Sequence, residues 1–192
     1  MNLPNRLTLT RIILIPVFLF FAQWPIMLET WRLEAWGSSI PWPLLVCTVI
    51  FVLASVTDWL DGWLARRYHL VTNFGKFADP IADKMLVMTA LISLVQWGQA
   101  SAWIVSLIVM RQLAISGLRL ILVENGQVLA AQMAGKIKTA TQMLAIILLL
   151  LDDWPFGFLP FSLGRLCLLL ALLLTLYSGG KYLYDSRHIF KF

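Results

Sequence analysis

Six long apolar runs divide this chain, at about 7–24, 42–65, 77–97, 101–122, 134–151 and 163–183. Each is close to the roughly 20 residues that a helix needs to cross the hydrocarbon core of a bilayer. The pattern predicts an all-α integral membrane protein of six transmembrane helices. Residues 25–41, with Pro25, Gly37 and Pro41, read as the one sizeable loop between runs. The first run is followed by no small-residue cleavage site, so it reads as a retained span and not as a signal peptide. No linker, repeat or low-complexity segment interrupts the 192 residues. A single domain over 1–192 is the expectation.

Composition agrees: 60% of the residues are hydrophobic and only 13% charged. Charge then orients the spans. Thirteen of the fifteen Lys and Arg fall at the two termini or toward the ends of spans that share their side. Arg32 and Arg165 fall opposite, with Glu29, Glu34, Asp152 and Asp153. Lys and Arg concentrate on the cytoplasmic side of membrane proteins, so both termini are predicted to be cytoplasmic. Seven of the nine tryptophans, at 24, 31, 36, 42, 97, 103 and 154, lie at the predicted outer ends, where an interfacial aromatic belt belongs. The net charge of +5 suits anionic lipid at the inner face and not nucleic acid. Cys47 and Cys167 lie inside apolar runs and read as small hydrophobes.

Against this background four aspartates stand out. They form one string, Asp58-x-x-Asp61-Gly62-x-x-Ala65-Arg66, then eight residues, then Gly75-x-x-x-Asp79-x-x-x-Asp83. An aspartate at bilayer depth costs roughly 2.5–3.5 kcal/mol to insert, so something cationic must compensate the set. Three- and four-residue spacings put each pair on one helical face. Two helices offering two carboxylates each describe a cage for hard divalent cations, which prefer oxygen ligands; salt bridges serving the fold alone are the plainer alternative. Gly62 and Ala65 allow either close helix packing or the approach of a pyrophosphate. Arg66 presents a planar fork suited to phosphate. The predicted orientation places all four carboxylates toward the cytoplasmic ends of the second and third spans. A polar cavity open to the cytoplasmic side follows.

The fourth and fifth spans add four cations; anchoring at the inner face is the plainer alternative, which suits Lys138 better than Arg111. Arg111 falls near mid-membrane and demands an anion or a carboxylate. Arg119, Lys136 and Lys138 lie nearer the inner ends, so four cations point to a substrate that already carries a phosphate.

The aspartate string resembles, position by position, the signature of the CDP-alcohol phosphatidyltransferases, integral-membrane enzymes of phospholipid synthesis. The resemblance implies that Asp58, Asp61, Asp79 and Asp83 hold two Mg²⁺ or Mn²⁺ ions. It also implies that Gly62, Ala65, Arg66, Gly75 and Thr72 contact CDP-diacylglycerol. Asp83 is implied as the catalytic base that takes the proton of an acceptor alcohol. The stretches Asn5-Arg6-Leu7-Thr8-Leu9-Thr10-Arg11, Ile115-Ser116-Gly117-Leu118-Arg119 and Gly135-Lys136-Ile137-Lys138-Thr139 are similar to the bacterial branch that uses sn-glycerol 3-phosphate as acceptor. That likeness runs from about residue 4 to 143. It implies phosphatidylglycerophosphate and CMP as products, with Arg111, Arg119, Lys136 and Lys138 binding the glycerol phosphate. A homodimer in the bacterial cytoplasmic (inner) membrane is implied as well. One departure is that many members carry Glu where this chain has Gln112, which leaves the partner of Arg111 open. Two competing readings remain. A sister enzyme would use inositol phosphate or serine, though serine needs no cluster of cations. An ion-coupled transporter would show paired repeats with broken helices, and the sequence shows neither.

Overall fold

A computed structural model describes residues 3–27, 32–35, 38–67, 73–124, 133–185 and 187. Among them are six α-helices: α1 (Leu3–Met27), α2 (Trp42–Arg67), α3 (Asn73–Gln96), α4 (Ala102–Glu124), α5 (Met133–Leu150) and α6 (Leu163–Asp185). All six apolar runs are therefore helical. Pro4 and Pro43 fall in the first turns of α1 and α2, where a missing N–H is no loss. Buried hydroxyls bond back to their own helices, as Thr48 to the Leu44 carbonyl at 2.8 Å and Ser93 to the Thr89 carbonyl at 3.0 Å. Such bonds let polar residues lie in apolar helices without an unmet donor.

Parts of the expected loop at 25–41 are regular. Helix α1 continues to Met27, and β1 (Arg32–Ala35) pairs antiparallel with β2 (Ser38–Pro41), placing Leu33 opposite Ile40. Arg32-Leu33-Glu34-Ala35 alternates polar and apolar, the period of a strand, which a search for twenty-residue spans passes over.

Polar ties at one end of the bundle fix how the helices alternate. Gln23 of α1 donates to Gln96 of α3 at 2.9 Å, and Phe21 meets Trp42 of α2 edge-on at 6.0 Å. Arg165 of α6 donates to the carbonyls of Gln99 and Gly98 between α3 and α4, at 3.1 and 3.4 Å. The α5–α6 turn closes on two left-handed residues, Asp152 and Asp153, a conformation that Asp tolerates better than most side chains. The carboxylate of Asp153 then accepts the Gly164 N–H at 2.6 Å and caps α6. The aspartate motif consequently lies at the opposite end, with the C-terminal part of α2 and the N-terminal part of α3.

The core runs between the helices through Phe18, Phe51, Leu91, Leu94, Ile108, Ile146 and Leu150, all fully buried. A second cluster joins Ile115, Leu118 and Leu122 of α4 to Tyr182 of α6. Outward faces are apolar as well: Phe20, Val49, Ile92, Trp103, Met110, Leu113 and Leu173 are all exposed. Surfaces of that kind suit lipid and not water. Residues 102–119 and 163–185 are long and apolar enough to cross a membrane, while 8–23, 42–58 and 137–150 are shorter apolar stretches.

Candidate active site

Helix α2 carries Asp58 and Asp61, and α3 carries Asp79 and Asp83. Asp58 accepts a 2.6 Å ion pair from Arg11 of α1, whose side chain is fully buried. Asp79 accepts a hydrogen bond from the Thr8 hydroxyl, one turn earlier on α1. Thr8 and Arg11 of the Asn5–Arg11 stretch thus serve the motif directly. Arg11 lies in an apolar run, where a cation needs an anion. Asp79 repels Asp58, and Asp58 repels Asp83, so the three carboxylates share one electrostatic field.

The donor chemistry fits a hard divalent cation. Every motif ligand is a carboxylate, and mutual repulsion makes a cation among them favourable. Arg11 already supplies a positive charge on Asp58. Among the described residues no three His, Cys, Asp or Glu side chains gather into one ligand set. The side chain of Asp61 lies outside the described residues, as do those of Arg66 and Lys136, all three positions being helical. Gly62 and Ala65 lie on α2 in the same turn region, and Gly75 is buried in the first turn of α3. Thr72 falls outside the described residues.

A cavity of about 570 Å³ opens between α3, α4, α5 and α6. Asp83 lines it, together with Arg111, Arg119 and Lys138. Three of the four predicted phosphate-binding cations therefore meet the predicted base in one space. Asp58 and Asp79 do not line it; they lie behind Asp83, toward α1.

Lys84 also lines the cavity and was not singled out in the sequence. Its ammonium donates to the Ser116 hydroxyl at 2.6 Å, which in turn donates to the Gln112 carbonyl at 2.6 Å. The only sequence signal was its place beside Asp83, which a reading by motif passes over. Four cations against one carboxylate leave the lining strongly positive. Arg119 repels both Lys84 and Arg111, and Arg111 repels Lys138. Such a cluster in a half-buried cavity is stabilised by a bound anion, most effectively a phosphate that accepts several charge-assisted hydrogen bonds.

Arg111 answers the question that Gln112 raised. Its partner is no carboxylate: Nη2 donates to the Ser178 hydroxyl of α6 at 2.8 Å. The guanidinium keeps its charge available to the cavity.

Similarity to known proteins agrees with this arrangement. The sequence model of the CDP-alcohol phosphatidyltransferase family matches residues 1–177. A Bacillus subtilis (strain 168) protein named CDP-diacylglycerol–glycerol-3-phosphate 3-phosphatidyltransferase is 49% identical over 181 residues, covering 94% of this chain and 93% of the relative. Proteins of the same name from Sodalis glossinidius and Pseudomonas fluorescens are 37% and 36% identical, over 98% and 95% of this chain and 96% and 89% of the relatives. With the motif, the carboxylate field and a match of this extent, the chain belongs to the CDP-alcohol phosphatidyltransferase family, a family of enzymes.

Proposed function

We propose that this enzyme transfers the phosphatidyl group of CDP-diacylglycerol to sn-glycerol 3-phosphate, releasing phosphatidylglycerophosphate and CMP. The observation that carries the proposal is the cavity in which Asp83 faces Arg111, Arg119, Lys138 and Lys84. A base beside a cluster of cations is what a phosphorylated alcohol requires. An acceptor such as serine needs no such cluster, and full-length relatives bear the name of the glycerol 3-phosphate reaction.

The donor is assigned to the aspartate side. Gly62, Ala65 and Gly75 leave room beside the carboxylates, and Arg66 and Thr72 complete the contacts to CDP. Asp58, Asp61, Asp79 and Asp83 would hold two Mg²⁺ or Mn²⁺ ions, which, when bound, neutralise the diphosphate and favour departure of CMP. Asp83 takes the proton from the acceptor hydroxyl as its oxygen forms a bond to the phosphorus nearer the diacylglycerol. The bond from that phosphorus to the bridging oxygen breaks, and its electron pair leaves with CMP. Arg111, Arg119, Lys136 and Lys138 hold the acceptor phosphate, orienting the hydroxyl toward Asp83.

The proposal extends to the setting. The chain is one domain of six spans in the bacterial cytoplasmic membrane, with both termini and the cavity on the cytoplasmic side, and it pairs as a homodimer. A lipid donor then enters laterally while the soluble acceptor arrives from the cytoplasm. The test is CMP release by purified protein supplied with CDP-diacylglycerol and a panel of alcohols. Glycerol 3-phosphate is expected to react, while glycerol and serine, which lack the phosphate, react at least about tenfold more slowly, the discrimination that one charge-assisted contact provides. Equal rates with glycerol or serine would overturn the acceptor assignment.

A further inference from the structure

We propose that Ser178 and Gly179 of α6 are positioning residues that seat Arg111 without neutralising it, which rests on the reading of this cavity as the acceptor site. Both residues lie beyond the segment matched by the family's sequence model, which ends at residue 177.

Thr175, Ser178, Gly179 and Tyr182 are all buried, at spacings of three, four and seven that make a single face of α6. That face meets α4. Tyr182 packs on Ile115, Leu118 and Leu122, which fixes the register of the two helices. One turn earlier the same face receives the Arg111 side chain. A Cβ built on Gly179 would lie 2.9 Å from Nε, 3.1 Å from Cγ and 3.5 Å from Cδ of Arg111. The arginine stem therefore lies across the glycine, so close that a Cβ there would push it aside. The neighbouring Gly180, like Gly117 of α4, has nothing within 4 Å of such a Cβ. Glycine weakens a helix interior, and at 179 the close approach of Arg111 is the reason for it.

Ser178 completes the seat. Its hydroxyl proton points to the Thr175 carbonyl at 3.3 Å, leaving an oxygen lone pair to accept Nη2 of Arg111 at 2.8 Å. A flexible side chain is thus fixed by a neutral hydroxyl and by an absent side chain. The position next to Arg111 is the neutral Gln112. A carboxylate in either place would take the charge of the guanidinium for itself. A neutral seat orients Arg111 and leaves that charge for the phosphate in the cavity, which Ser178 and Tyr182 also line.

The test is steady-state CMP release by the purified full-length protein, with each substrate varied in turn. Ser178→Ala and Gly179→Ala are expected to raise KM for glycerol 3-phosphate by about threefold to tenfold, the scale of a displaced charge-assisted contact. KM for CDP-diacylglycerol should stay unchanged. Ser178→Thr, which keeps the hydroxyl, should restore the wild-type value. In an Arg111→Ala background neither substitution should raise KM further, because what they position is gone. The seat is refuted if both single variants keep the wild-type KM for glycerol 3-phosphate. It is equally refuted if their effects add in full to that of Arg111→Ala, as generalised helix damage would. An unchanged KM in Arg111→Ala itself would remove the acceptor assignment, and the seat with it.

Discussion

Asp83 stands between two neighbourhoods that ask different things of it. It feels the repulsion of Asp58 on one side and the attraction of Lys138 and Lys84 on the other. A ligand-only role and a base role can be separated by substitution. Asp83→Asn is expected to lower kcat by about a hundredfold or more, the scale of lost general-base catalysis, while CDP-diacylglycerol still binds. Asp58→Asn should instead raise the Mg²⁺ concentration needed for half-maximal rate, and EDTA should silence the wild type. Normal turnover by Asp83→Asn, or by wild type in excess chelator, would contradict the assignment. At this scale the sequence was most legible where residues cost most. Four aspartates and Arg111 in apolar runs announce themselves, because insertion penalises them unless they function. Thr8, Lys84, Ser178 and Gly179 did not. A threonine or serine costs little in a helix, and only the neighbour that it meets in three dimensions gives it a role.

Helices were legible for a related reason, since each apolar run must satisfy its backbone internally and a helix does so. Helix ends were less so: α1 begins earlier and ends later than its apolar run, because charged and amphipathic residues continue a helix once it is nucleated. The β1–β2 hairpin escaped because its strands are four residues each, far shorter than a span. What the runs do not reveal is how closely two helices approach. At the α5–α6 turn a Cβ on Gly164 would lie 2.8 Å from Cδ2 of Leu149 and 2.9 Å from the Asp153 carboxylate that caps α6. Gly164→Ala must therefore part α5 from α6 or displace the cap. A destabilisation of about 1–3 kcal/mol is expected, typical of overpacking a tight contact. A lower melting temperature in detergent would register it, with KM for both substrates unchanged because the turn is at the far end from the cavity. An unaltered melting temperature would show that Leu149 yields freely.

On the proposed reaction the molecule as a whole joins a lipid donor to a soluble acceptor, and its orientation decides whether the second can arrive. The aspartates, Arg119 and Lys138 all lie at the end of the bundle that holds the start of α1 and the end of α6, while Gln99, Asp152 and Arg165 tie the other end together. Lys and Arg concentrate at the first end, which the positive-inside rule assigns to the cytoplasm. The assembly of four helices around one cavity was not legible in the sequence, because inter-helix distances depend on packing. Part of its cationic lining was legible, since Arg111 near mid-span asks for an anion as no residue at a helix end does. Orientation can be tested with cysteines. Both native ones are free, and Cys47 is buried with its thiol directed at the Phe18 carbonyl, so Cys47→Ala and Cys167→Ala give a background without thiols. Gly157→Cys on the α5–α6 turn and Arg187→Cys after α6 then mark the two ends, both at exposed positions. A membrane-impermeant maleimide added to intact cells should label position 157 and reach 187 only after permeabilisation. The reverse pattern would turn the cavity away from the cytoplasm, leaving Asp83 and its cations facing a compartment that must itself supply the phosphorylated acceptor. Labelling of both positions in intact cells would break the proposed odd number of crossings between them.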